Sequence, residues 1–87
     1  MEKSIYTAEY AALLELLRST RRAASISQVE LARLLGQTQS FVSKVEVGER
    51  RLDIIQLRTI CKLLGTSLPD FVQNLESRIA AREGEKR

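Results

Sequence analysis

The 87-residue sequence predicts an all-α protein, a single bundle of five helices. Three observations carry that reading. Apolar residues recur at three-to-four spacing along most of the chain, the period of a helix face. One proline, four glycines and few β-branched clusters leave helix as the default conformation. The second to fifth apolar stripes open on Ser, Thr or Asp, and the second to fourth close on Gly, the punctuation of short capped helices.

The elements follow in order. Tyr6, Tyr10, Leu13, Leu14 and Leu17 stripe one face of the first helix, which runs into Arg18, Arg21 and Arg22, cations suited to a helix C-terminus. Ser27-Gln28-Val29-Glu30 has the spacing of a capping box and opens a second helix of about two turns, ended by Gly36. Thr38 caps a third helix, closed by Gly48. Asp53 and Gln56 make another capping pair, opening a fourth helix with Ile54, Leu57, Ile60, Cys61 and Leu64 inward, and Gly65 ends it. Ser67-Leu68-Pro69-Asp70 starts the fifth, striped by Phe71, Val72, Leu75 and Ile79, with proline tolerated in the first turn. Residues 1–82 therefore read as one domain, and 83–87 as a disordered charged tail.

Composition narrows the functional class. With no histidine and a single cysteine, Cys61, the chain offers no disulfide framework, no ordinary zinc site and no imidazole for acid–base or nucleophilic work. A converging carboxylate pair is also missing from the pattern, so no catalytic residue, metal or cofactor is called for. Cys61 lies on an inward stripe and is read as core. No apolar run approaches the roughly 20 residues of a membrane span. Met1-Glu2-Lys3-Ser4 lacks the apolar segment of a signal peptide, so the expected location is the cytoplasm, away from membranes.

The net charge of +3 is unevenly spread. Residues 1–17 carry −2, residues 18–62 carry +5 from nine basic and four acidic side chains, and residues 63–87 are neutral. A polyanion would meet the middle segment first, although a solvated set of helix faces gives the same count.

Within that segment, Gly36-Gln37-Thr38 is too brief to join antiparallel helices and fits a sharp corner from which the next helix projects. Leu31, Leu35, Val42 and Val45 supply the contact between the two helices, with Ala32 small at their crossing. From Ser27 to Arg51, the runs Ser-Gln-Val-Glu-Leu-Ala-Arg-Leu-Leu-Gly and Gln-Ser-Phe-Val-Ser-Lys-Val-Glu-Val-Gly-Glu-Arg resemble the phage-repressor/Cro-like, or xenobiotic-response-element, family of helix-turn-helix regulators. The resemblance covers residues 18–64. It implies a lambda-repressor-like five-helix fold, a helix-turn-helix core at 27–46, a recognition helix at 38–46 and sequence-specific binding to double-stranded DNA.

On a helical wheel Val42 and Val45 define the buried side of the recognition helix, with Ser40, Ser43 and Lys44 opposite and Gln39 in the exposed first turn. Gln39 suits adenine and Lys44 suits guanine, while Ser40 and Ser43 can serve bases or phosphates. Gln28, at the exposed start of the second helix, reads as a phosphate clamp, the role the resemblance also gives it. Thr38, Arg50 and Arg51 are further phosphate candidates, the two arginines placed to straddle a strand or else solvated in a loop. Phe41 either packs on the core or touches a thymine methyl.

The resemblance also implies that Arg21 is a strut, paired with Glu46 at the end of the recognition helix. Two half-sites one helical turn apart call for a homodimer. Helix five (67–82), through Phe71, Val72, Leu75 and Ile79, is the expected interface, with Tyr6 and Tyr10 as a rival surface. The leading function is a repressor acting on an inverted-repeat operator. Alternatives are an antitoxin or restriction–modification control protein, with a toxin or co-regulator as partner, or an adaptor that does not read DNA.

Overall fold

The computed structural model describes residues 7–85. They form five helices: α1 (Ala8–Ala23), α2 (Gln28–Leu35), α3 (Gln39–Glu46), α4 (Ile54–Leu63) and α5 (Leu68–Glu85). Among the described residues there is no strand.

Every helix starts on a side-chain oxygen that accepts from a backbone amide three residues on. Thr7 takes Tyr10 N–H at 3.0 Å, Ser27 takes Glu30 at 3.0 Å, and Thr38 takes Phe41 at 3.1 Å. Asp53 takes Gln56 at 2.7 Å, and Ser67 takes Asp70 at 3.2 Å. Each bond satisfies an amide that the helix cannot pair internally, worth about 1 kcal/mol. Among the described residues only α4 closes the reciprocal box, with Gln56 Oε1 accepting from Asp53 N–H at 3.0 Å.

The box expected at Ser27 is half made. The Glu30 carboxylate turns instead to Arg33, accepting from both its Nε and Nη2. That charge-assisted fork holds the Glu30 carboxyl below its usual range and outcompetes the neutral backbone amide at the cap.

The core is formed by Leu16 and Leu17 of α1, Leu31 and Ala32 of α2, Val42 and Val45 of α3, Ile60 and Cys61 of α4, Leu64, and Phe71 of α5. Leu35 packs against it from the α2–α3 corner, where Gly36 adopts φ +69°. That left-handed turn, free of steric cost only for glycine, lets α3 leave α2 at an angle while their apolar faces stay in contact.

Three further expectations are corrected. Ile54 is 59% exposed rather than inward, because it sits in the first turn of α4, beyond the reach of the elements that cover Ile60 and Cys61. Phe71 is 2% exposed and is already consumed by the core of this chain, which removes it from any surface for a second copy. The tail expected from position 83 is helical as far as Glu85. Arg82 ties this end of α5 to α1, donating to Glu15 Oε1 at 2.7 Å and to the Ala8 carbonyl at 3.4 Å. Residues 86–87 and the Tyr6 part of the rival surface lie outside the described residues. No helix among the described residues is long and apolar enough to cross a membrane.

Candidate nucleic-acid interface

Helix α3 is eight residues long and is amphipathic in a useful way. Val42, Val45 and Glu46 are buried, while Thr38, Gln39, Ser40 and Lys44 are exposed and Ser43 is half-buried. Its one acidic residue is therefore turned inward, and the outer face is polar and weakly cationic. Thr38 uses its oxygen as a cap, and its hydroxyl proton is still a donor.

The inward acid is the organising point. Glu46 is 1% exposed. Its Oε2 accepts from Arg21 Nε at 2.6 Å, and its Oε1 accepts from Arg21 Nη2 at 3.1 Å and from Gln28 Nε2 at 2.9 Å. Arg21, itself 8% exposed, also donates from Nη1 to the Ile26 carbonyl at 2.9 Å. A two-pronged guanidinium–carboxylate pair with a third donor on the carboxylate is the arrangement that makes a buried charge tolerable. Among the described residues no buried side-chain nitrogen or oxygen lacks a partner. The structure thus brings Arg21 and Glu46 together, joining α1 to the end of α3.

Two members of this cluster escaped sequence reasoning. Gln28, expected at a phosphate, is half-buried and commits an amide hydrogen to Glu46. Arg18 donates from Nη1 to the Glu46 main-chain carbonyl at 2.7 Å. The signal for Arg18 was its position one turn before Arg21, on the same face of α1.

The two arginines after α3 diverge. The Arg50 guanidinium lies 4.9 Å from the centre of the Phe41 ring, which keeps it beside α3. That of Arg51 lies 4.8 Å from the Tyr10 ring on α1. Each is steadied by the attraction between a cation and a ring face. Phe41 is half-buried against the core, with Arg50 over its outer face.

Two short helices meeting at Gly36, the second anchored inward by an acid and polar outward, define a helix-turn-helix domain. Residues 17–71 match the family model described as helix-turn-helix. Among solved structures, an XRE-family like protein from Pseudomonas syringae pv. tomato str. DC3000 is 48% identical, with a TM-score of 0.77, over 86% of this chain and 92% of that one. The chain belongs to the XRE-type helix-turn-helix family of DNA-binding transcription regulators. Two structures of the clp gene regulator ClgR from Corynebacterium glutamicum share the fold. One is 24% identical with a TM-score of 0.79, covering 92% of this chain and 85% of that one. The other is 25% identical with a TM-score of 0.72, covering 86% and 96%. Comparison with curated proteins gives no match.

No group of three or more His, Cys, Asp or Glu among the described residues could hold a metal ion.

Proposed function

We propose that this chain is a repressor that binds an inverted-repeat operator in double-stranded DNA as a homodimer, with residues 38–46 in the major groove. The observation that carries the reading is the acid-free outer face of α3, held against the core through Glu46. A helix about 10–12 Å across fits a groove about 12 Å wide. Gln39 pairs with adenine, Lys44 donates to guanine, and Ser40 and Ser43 contact bases or phosphates. Thr38 and Arg50 hold the backbone on either side. Gln28 keeps one amide hydrogen on Glu46 and offers the other to a phosphate, and Arg51 contributes through the general positive field. The role needs no catalytic group and belongs in the cytoplasm.

Dimerisation is assigned to the α5 face carrying Val72, Leu75 and Ile79. Val72 is 39% exposed, and the other two are half-buried.

Selection of bound sites from a random duplex pool, followed by anisotropy titration in rising salt, tests the reading. An inverted repeat whose affinity falls steeply with salt is expected. Equal affinity for all sequences would overturn it, and a monomer by sedimentation with operator present would remove the dimer.

A further inference from the structure

The end of α3 is accounted for carbonyl by carbonyl. Ser43 O accepts from Val47 N–H at 3.1 Å, and Val45 O accepts from Gly48 at 3.1 Å. Lys44 O accepts from Glu49 at 2.9 Å and Arg50 at 3.1 Å. These are all local bonds made by the chain as it turns away. The Glu46 carbonyl is different, because it is taken by Arg18, 28 residues earlier on α1, at 2.7 Å. A cation at this position also faces the negative end of the α3 dipole.

Arg21 and Arg18 lie one turn apart on α1 and grip the same residue of α3 in different ways. Arg21 holds the Glu46 side chain, so its grip reaches the helix only through the side-chain torsions of Glu46. Arg18 holds the main chain, so it alone of the two constrains the helix axis directly. An eight-residue helix is roughly 12 Å long, and a 10° tilt about one end moves the other by about 2 Å. A base contact tolerates displacements of only about 0.5 Å.

We infer that Arg18 is a positioning residue for sequence discrimination: by capping the Glu46 carbonyl it sets the tilt of α3, and so the placement of Gln39 and Ser40 at the far end. The inference rests on α3 being the DNA-reading helix. It makes Arg18 a cation of the basic segment that serves readout without touching DNA.

The test compares wild type, Arg18→Met, which keeps the apolar stem, and Arg18→Lys, which restores a charged donor. Affinity for the selected duplex and for a scrambled one is measured across a salt series, and backbone amide exchange is followed in the free proteins. For Arg18→Met the expected result is a loss of at least about fivefold in the specific-to-scrambled ratio, the least that one good base contact supplies. The salt slope should stay unchanged. Exchange at Val47 and Gly48 should quicken about tenfold while that at Ile60 and Cys61 holds, as for local rather than global opening. Arg18→Lys should recover part of both effects.

A salt slope reduced by about 0.9, with both affinities falling in parallel, would make Arg18 a phosphate contact and overturn the inference. Exchange quickened equally throughout the core would make it merely structural, and an unchanged ratio with unchanged exchange would make it a bystander. If wild type selects no sequence, the reading of α3 fails. The exchange comparison then still decides whether Arg18 holds the helix.

Discussion

Replacing Glu46 by alanine removes the acceptor for three hydrogen bonds, two from Arg21 and one from Gln28. Arg21 keeps only its bond to the Ile26 carbonyl, so a guanidinium 8% exposed is left without a counter-charge. Breaking a buried pair from one side costs about 3–5 kcal/mol. A chain of this length has roughly 4–13 kcal/mol in total, at 0.05–0.15 kcal/mol per residue. Glu46→Ala should therefore remove a large share of the stability and lower Tm by about 12 °C or more, at 4 °C or more per kcal/mol. Urea unfolding followed by circular dichroism measures it, with m expected to stay constant. The double change Arg21→Met with Glu46→Leu should recover most of the loss, because the orphaned charge is then gone. A loss below about 0.5 kcal/mol for Glu46→Ala would refute the strut.

Four further outcomes are expected. Gly36→Ala should cost about 1–2 kcal/mol in urea unfolding, from the left-handed backbone alone, since nothing lies within 4 Å of an added Cβ. Asp53→Ala should cost about 1 kcal/mol by opening the α4 cap, and a change within error would mean that the box is not formed in solution. Arg50→Ala should weaken all duplexes alike and reduce the salt slope by about 0.9, whereas a change confined to one sequence would place Arg50 on a base. Burial raises the Cys61 thiol pKa, so above roughly pH 8.5 the unfolded chain loses its proton first and stability falls with rising pH. Cys61→Val should flatten that part of the stability–pH curve, and an unchanged slope would assign the titration elsewhere.

What the sequence made legible was local. Thr38, Asp53 with Gln56, Ser67 and Gly36 act within three or four residues, and the structure has each of them as cap or corner. Failures came where a neighbour or a distant element decided. Glu30 had the right spacing for a box, but Arg33 one turn on competed for its carboxylate. Ile54 had the right phase for the core, yet periodicity gives a direction and not how far the covering helices extend. Phe71 had the phase of a surface stripe and filled the core instead. The outer face of α3 was legible because Val42 and Val45 define its opposite side. Gln28 and Arg18 were not fully legible, because their partner, Glu46, lies 18 and 28 residues away. Charge counting was misleading in the same way, since Arg18 and Arg21 belong to the basic segment but are turned onto Glu46.

The central claim, that the outer face of α3 reads base sequence, is tested most directly by repeating the site selection with Gln39→Ala. The predicted result is a wild-type inverted repeat whose preference changes at one position in each half-site of the variant, with the other positions retained. An identical motif from both proteins would contradict it, as would a variant that simply binds every site more weakly in proportion.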